Sequence, residues 1–400
     1  MSSRRPFLPM SRLTARFALV LALAASPVSV TAATPPAQPK EGPGGSNYVA
    51  SEVAKRAIGN ASAASFVFHA AGPAASPRPV VVLLHAWGAV NPQCYGGLIE
   101  HLARKGYLVV WPRYQEVGKT RPTDATASAS TLVKEAFAAL ESDPEARPDP
   151  GRVAFVGHLA GAPVAANLAA QAKSDGLPVP KLVVALTPGG IASDAKSRGI
   201  PLADLKQIDP ATLMMTMTGD RDHLPSDRAA KRLLKEAEAV PNERKLMVRA
   251  LSDDHGFPAL SATLASPGAP KEAYDGAKIK IPPAPPGDPR ADRLKRQKWS
   301  PDLVLTGEQT VLVAQIGNNA IDTLDYLGFW KTLEMAANAA FSGKDAQALH
   351  NDPALSDMGR WSDTWPVKRL SAELPRADAP TSSARAPLAP TKVPVTRKRR

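Results

Sequence analysis

The sequence predicts an α/β fold: a single domain with a mostly parallel, doubly wound sheet and helices on both faces. Short runs of Val, Leu and Ile alternate with segments of helical spacing, and this alternation repeats about five times. Several of the runs are almost continuously apolar, which is typical of parallel strands buried on both faces. The chain has 400 residues and is 44% hydrophobic, which is enough for one large core.

The predicted elements follow one another in a regular order. Strands are expected at "ASFVFHAAG", "RPVVVLLHAWG", "YLVVWP", "RVAFVG", "KLVVAL", "TLMMTMTG" and "RKLMVRAL". Helices are expected at "YGGLIEHLARKG", at Thr126–Leu140, directly after "RVAFVG", at Ser226–Ala239 and within Gly307–Phe341. In such a sheet, ligands bind at the carboxyl ends of the strands.

Composition divides the chain into segments. Residues 1–33 are predicted to be a signal peptide, 34–46 a linker, 47–374 the folded domain and 375–400 a disordered basic tail. The 40 prolines cluster in the linker, in the tail and in a Pro/Lys-rich insertion at 268–300. The insertion interrupts the alternation of strands and helices, so we expect it to be exposed and to cover the pocket.

The N-terminus has the features of an export signal. Arg4, Arg5, Arg12 and Arg16 precede the apolar run "FALVLALAASPVSV", and small residues follow it. The run is too short to span a bilayer, so we expect a cleaved Sec or twin-arginine signal and a periplasmic or secreted protein. No later segment is apolar enough to be a stable transmembrane span. The only cysteine, Cys94, excludes an intrachain disulfide.

The formal net charge of +12 does not indicate a nucleic-acid-binding protein. Residues 1–40 carry five basic and no acidic side chains, residues 268–300 carry eight and four, and residues 374–400 carry seven and one. These excesses together exceed the net charge, so the rest of the chain is slightly acidic. The basic tail leaves open an interaction with an anionic surface of the cell envelope, although protein partners are unknown.

Two predicted turns resemble the parts of a hydrolytic site. In "GHLAG", Gly157 and Gly161 frame a sharp turn between a strand and a helix, and the N–H of Ala160 is a candidate oxyanion donor. In "HAWG", the turn after the strand aims a second backbone N–H at the same crevice. An ordinary strand-to-helix loop with Trp87 as a packing residue remains the alternative for "HAWG".

Two later turns carry a candidate acid and a candidate base. Asp220 and Asp222 follow the strand "TLMMTMTG", and His255 follows the strand "RKLMVRAL". A carboxylate that holds the imidazole of a histidine supports general-base catalysis near neutral pH. Each turn alone is typical of a solvated surface, whereas the chain order of elbow, acid and histidine favours a catalytic site.

The chain resembles the α/β-hydrolase superfamily, in particular exported bacterial esterase- and lipase-like members of the chlorophyllase and cutinase type. The resemblance rests on "LLHAWGAVNPQCY", "HLARKGYLVVWPRYQ", "GHLAG", "TGDRD" and "SDDHGFPAL", in that order. It implies an α/β-hydrolase fold, with Asp222 rather than Asp220 as the acid and His255 as the base. It also implies that the N–H groups of Trp87 and Ala160 are the oxyanion donors.

One departure changes the expected chemistry. Leu159 stands at the position of the nucleophilic serine, and a leucine side chain cannot form an acyl intermediate. The sequence therefore favours a catalytically impaired protein of carboxyl-ester hydrolase ancestry, which keeps a pocket for a small apolar ester or acyl ligand. Two alternatives stay open: an active hydrolase that uses water activated by His255 and Asp222 or an unrecognised nucleophile, and an envelope interaction protein that acts through its basic tail.

No cofactor or metal is expected. The seven histidines are scattered, and none forms a close set with acidic residues at the spacing of metal ligands.

Overall fold

The computed structural model describes residues 32–60, 63–194, 196–221, 223–280 and 309–375. Asp222, nearly all of the predicted signal and tail, and residues 281–300 of the predicted insertion lie outside these ranges. The catalytic role predicted for Asp222 therefore stays a prediction.

Nine strands of the described residues form one sheet, in the order β1-β2-β4-β3-β5-β6-β7-β8-β9. The strands are β1 Val53–Asn60, β2 Ala63–Ala70, β3 Arg78–Leu84, β4 Leu108–Pro112, β5 Pro148–His158, β6 Leu182–Leu186, β7 Leu213–Gly219, β8 Lys245–Ala250 and β9 Ser371–Glu373. Strands β3 to β8 pair in parallel, whereas β1, β2 and β9 pair antiparallel with their neighbours. The predicted mostly parallel sheet is confirmed.

Helices connect the parallel strands and lie on both faces of the sheet. The α-helices are α1 Gly96–Arg104, α2 Ala125–Leu140, α3 Gly161–Asp175, α4 His223–Glu236, α5 Gln309–Gly317, α6 Lys331–Phe341, α7 Ala346–His350 and α8 Pro353–Ser356, with a π-helix at Leu324–Trp330. Helix α3 ends where Gly176 adopts φ +68°, a left-handed conformation that suits glycine. The predicted order of helices is confirmed, except that Gly307–Phe341 is divided between α5, the π-helix and α6.

The sheet has an apolar core on each face. One core joins α1 and α6 to the sheet and includes Leu98, Ile99 and Leu333. The other joins α2 and α3 to the opposite face and includes Leu132 and Leu168. Alternating residues of the strands serve the two cores, as the two-residue period of a strand requires. The carboxyl ends of β3, β5, β6 and β7 therefore meet at one edge, which is held in place from both sides.

The predicted linker at 34–46 packs against the domain. Thr34 N donates to Ser362 Oγ at 2.9 Å, and the carbonyl of Pro36 accepts from the hydroxyl of Tyr326 at 2.6 Å. Gly44 N donates to the buried carboxylate of Glu334 at 2.8 Å. These hydrogen bonds satisfy backbone groups that a free linker would leave to water, so the ordered domain begins ahead of residue 47.

Among the helices of the described ranges, none has both the length and the apolarity needed to cross a bilayer.

Candidate active site

The turn between β5 and α3 has the geometry of a nucleophile elbow, with Leu159 at its centre. Leu159 has φ +51°, a left-handed conformation that is uncommon for residues other than glycine. Its N–H donates to the carbonyl of Leu186 at 3.0 Å, and its carbonyl accepts from Ala162 N at 3.0 Å and Gly189 N at 3.2 Å. Three backbone hydrogen bonds thus hold the strained residue in place.

The two glycines of the elbow leave no room for a side chain. A Cβ atom on Gly157 would lie 2.1 Å from the carbonyl oxygen of Gly161, and one on Gly161 would lie 2.1 Å from the carbonyl oxygen of Leu84. Both distances are far shorter than a van der Waals contact. The "GHLAG" frame is therefore required by the close approach of the helix to the sheet, whatever residue stands at position 159.

The side chain of Leu159 is part of the core. It is 7% exposed and belongs to the apolar cluster that also contains Leu186, Met217 and Leu260. A buried leucine at this point has no lone pair and no ionisable proton. The elbow therefore presents a hydrocarbon side chain that cannot form a covalent intermediate.

The loop after β3 lies beside the elbow. Ala86 N donates to the hydroxyl of Tyr95 at 3.1 Å, and Gly88 N donates to Oε1 of Gln115 at 2.6 Å. Within the described residues, the N–H groups of Trp87 and Ala160 donate to no protein acceptor. Both residues are buried, and their role as oxyanion donors stays a prediction.

His158 is locked by a chain of hydrogen bonds. Its Nε2 lies 2.7 Å from the carbonyl oxygen of Leu264, and its Nδ1 lies 2.6 Å from the hydroxyl of Tyr95. A carbonyl only accepts, so Nε2 carries the proton and Nδ1 accepts from Tyr95, whose oxygen in turn accepts from Ala86 N. Burial lowers the pKa of His158 to about 4. This neutral ring joins the elbow to two neighbouring loops and has no nitrogen free for catalysis.

His85 is a second buried, neutral histidine near the elbow. Its Nδ1 donates to the carbonyl of Ala86 at 2.8 Å, and its ring stacks on Tyr114 with centroids 4.2 Å apart. Burial lowers its pKa to about 4. Its Nε2 has no hydrogen-bond partner in the described part of the chain. The ring supports the candidate oxyanion loop from behind.

His255, the predicted base, lies against the C-terminal segment. Its Nε2 is 2.7 Å from Oδ2 of Asp363, and its ring stacks on Trp365 with centroids 5.5 Å apart. Hydrogen bonding to His255 lowers the pKa of the Asp363 carboxyl. The side chain of His255 is 30% exposed, so this pair is open to solvent. No hydrogen bond or ring contact joins His255 to Leu159 among the described residues.

Asp220, which follows β7, forms hydrogen bonds that stabilise the fold. Its Oδ1 accepts from Ser252 Oγ at 2.6 Å, and its N–H donates to the carbonyl of Ala250 at 3.0 Å. These bonds connect the turns that follow β7 and β8. Asp222, the predicted acid, lies outside the described ranges, so the choice between the two aspartates stays a prediction.

The structure thus joins one half of the predicted site. Gly157, Leu159, Gly161, Trp87 and Ala160 meet at the edge where β3 and β5 end, and His255 contacts a different part of the chain. Sequence reasoning missed Tyr95, Leu264 and Asp363. Tyr95 lies in the quoted "NPQCY" segment, but no local pattern marks its hydroxyl as the partner of His158. The described residues contain no group of three or more His, Cys, Asp or Glu side chains that would hold a metal ion.

Comparison with known families agrees with this geometry. The family model named Chlorophyllase matches residues 51–198, which hold strands β1 to β6, the elbow and the loop after β3. Over these residues the chain is similar to that family, and its fold is that of the α/β-hydrolases. Its likeness is to the esterase- and lipase-like members, as the sequence motifs indicate. The matched residues end ahead of β7, so the match includes Leu159 but neither Asp222 nor His255.

Several solved structures of esterases are similar to this chain. A hyperthermophilic esterase from the archaeon Pyrobaculum calidifontis is 18% identical, with 51% of this chain and 75% of that chain covered and a TM-score of 0.39. A fungal esterase from Rhizomucor miehei is 17% identical, with coverages of 53% and 78% and a TM-score of 0.38. A thermostable esterase from Pseudomonas putida is 18% identical, with coverages of 50% and 72% and a TM-score of 0.39. No curated protein matches the sequence.

Proposed function

We propose that this α/β-hydrolase has lost acyl transfer and binds a small apolar ester or acyl ligand without turning it over. The observation that carries the proposal is the strained, buried Leu159 at the nucleophile position of an otherwise complete elbow. In serine hydrolases, removal of the nucleophile costs about 10⁶ in rate and leaves roughly 10³ to 10⁴ over water. The apolar surroundings of Leu159 favour the hydrocarbon part of a ligand.

The neighbouring histidines support the absence of a substitute mechanism. Both ring nitrogens of His158 are engaged, and its pKa of about 4 makes it a weak base. In His255, Nε2 is occupied by Asp363. Activation of a water molecule at the elbow needs a basic nitrogen beside the bound ester. His158 has no free nitrogen, the unpartnered Nε2 of His85 belongs to a buried ring with a pKa of about 4, and no hydrogen bond or ring contact joins His255 to Leu159 among the described residues.

The test compares the natural protein with Leu159→Ser and Leu159→Ala. The alanine variant is the matched control, because it removes the bulk of leucine without adding a hydroxyl group. We expect the natural protein and Leu159→Ala to resist fluorophosphonate labelling and to hydrolyse p-nitrophenyl acetate at the background rate. We expect Leu159→Ser to be labelled and to exceed Leu159→Ala by at least about tenfold, a difference of 1.4 kcal/mol in barrier.

Two results would contradict the proposal. Hydrolysis by the natural protein well above background would mean that another group carries the reaction. A folded Leu159→Ser variant that is neither labelled nor active would mean that the elbow and its two N–H donors do not form a usable oxyanion site.

We also propose that the protein is exported, on the basis of the basic and apolar composition of residues 1–33. Cleavage after Ala33 would make Thr34 the first residue, and Thr34 exchanges two 2.9 Å hydrogen bonds with Ser362 that would hold the new terminus. Expression in a bacterium, cell fractionation and N-terminal sequencing test this directly. Intact protein in the cytoplasmic fraction would contradict it.

A further inference from the structure

A cleft of about 740 Å³ lies at the sheet edge formed by β8 and β9, remote from the elbow. Its walls come from α4, from the start of β8, from the end of α7 and from residues 372–375. Lys245, the first residue of β8, marks the amino end of that parallel strand, whereas the elbow stands at the carboxyl end of β5. The volume is in the range of small-molecule sites.

A buried lysine without a carboxylate partner faces this cleft. Lys245 is 5% exposed and lines the cleft, and no ion pair or hydrogen bond of its ammonium group is present within the described residues. The nearby Glu238 forms its ion pair with Lys206, at 3.0 Å. Burial lowers the pKa of Lys245. The ammonium nitrogen is not among the buried unpartnered atoms, so it is open to the cleft and can pair with an anion there.

Two further lysines strengthen the positive charge at the mouth of the cleft. Lys231 and Lys235 project from α4 into the lining, one helical turn apart. Neither forms an ion pair with a described residue. Glu373 is the remaining carboxylate of the lining, and it lies opposite Met247 in the β8–β9 ladder. Three lysines therefore outnumber the carboxylates that are free to neutralise them.

The rest of the lining is apolar. Leu234, Met247 and Leu374 line the same cleft as the lysines. Lys245 and Met247 are two residues apart on one strand, so they share a face of the sheet. A ligand that contacts both needs a negatively charged group next to a hydrocarbon chain.

The C-terminal tail of this chain is a poor occupant on grounds of charge. Residues 376–400 carry seven basic side chains and one acidic side chain, so lysines would repel them. We propose that the cleft binds a single-chain anionic amphiphile, with its carboxylate or phosphate head at Lys245 and its alkyl chain along Leu234, Met247 and Leu374.

The test is calorimetric titration of the purified protein with decanoate, decyl phosphate and the neutral control decanol. Lys245→Met retains the aliphatic bulk and removes the charge. Lys173→Met is the matched control, since Lys173 pairs with Asp209 at 2.9 Å and does not line the cleft. We expect the natural protein to bind at least one of the two anions, Lys245→Met to weaken that binding by about tenfold or more, and Lys173→Met to bind as the natural protein does.

The comparison of decanoate with decyl phosphate identifies the head group that the cleft prefers. The double substitution Lys231→Gln/Lys235→Gln, on the exposed side of α4, provides a second variant if Lys245→Met fails to fold, and we expect it to weaken anion binding as well. The proposal would be overturned if neither decanoate nor decyl phosphate bound, if decanol bound equally well, or if folded Lys245→Met and Lys173→Met bound the anion with equal affinity. The site does not depend on the elbow, so we expect Leu159→Ser to bind the anion like the natural protein.

Discussion

Substitution of Tyr95 by phenylalanine tests whether the elbow is held by the hydrogen-bond chain through His158. The hydroxyl of Tyr95 accepts from Ala86 N at 3.1 Å and donates to Nδ1 of His158 at 2.6 Å. All three residues are buried. The variant Tyr95→Phe keeps the packing of the ring but leaves one donor and one acceptor unsatisfied away from water.

The expected cost follows from these two orphaned groups. An unsatisfied buried donor or acceptor costs about 1–3 kcal/mol, so the two together predict a loss of about 2–6 kcal/mol in the free energy of unfolding. Since globular domains have about 5–15 kcal/mol in total, the loss is a large fraction of the whole. Urea unfolding of the purified protein, followed by circular dichroism at neutral pH, measures it directly.

Tyr107→Phe is the matched control for this experiment. Tyr107 is also buried, but its hydroxyl has no hydrogen-bond partner among the described residues, so we expect a change below about 0.5 kcal/mol. If Tyr95→Phe were as stable as Tyr107→Phe, the assigned chain from Ala86 through Tyr95 to His158 would be wrong. A loss confined to Tyr95→Phe would support it.

Two further predictions concern the same region. Gly161→Ala should lower the free energy of unfolding by more than about 3 kcal/mol, because its Cβ would meet backbone atoms at 2.1 Å, whereas Gly317→Ala, with no atom within 4 Å, should be neutral or slightly stabilising. Urea unfolding distinguishes them, and equal stabilities would contradict the close packing. Acid should also destabilise the fold, because the pKa values of His85 and His158 are about 4 in the folded protein against 6.5 ordinarily. The unfolded chain binds more protons in this window, so their contribution is complete above pH 6.5 and falls by roughly 3 kcal/mol for each ring at pH 4. Urea midpoints that stay constant from pH 7.5 to 4.5 would refute this.

The sequence predicts the parallel part of the sheet well because its strands are buried on both faces. The run "RPVVVLL" is almost entirely apolar, and it forms β3 as expected. Edge strands carry a weaker signal. Val53–Asn60 contains Lys55 and Arg56 and is only half buried, so β1 escapes prediction, as does the three-residue β9. These strands form because a neighbouring strand offers unpaired backbone groups. Their own residues do not encode this pairing, so a local pattern does not predict them.

In the candidate site, too, local features are predictable from the sequence and contacts between distant residues are not. Gly157 and Gly161 are predictable because a steric requirement of the turn is local, and the structure gives its reason as a 2.1 Å approach. The partner of His255 is not predictable, because Asp363 lies 108 residues further along the chain. The two C-terminal tryptophans also differ in burial, which their sequence does not indicate. Trp361 donates to Oδ2 of the buried Asp253 at 3.1 Å, whereas Trp365 is 60% exposed.

The elbow's backbone hydrogen bonds have a consequence for how a sequence with this turn is interpreted. Leu159 holds φ +51° through bonds made by its own N–H and carbonyl, which every residue except proline possesses. Its side chain is thus the one part of the turn that folding leaves open to replacement by another residue of suitable size. A serine or another side chain that fits the same space could therefore stand at position 159 without a change in the backbone of the turn. The glycine frame therefore identifies the architecture of the turn, whereas the residue at position 159 decides whether the turn carries a nucleophile.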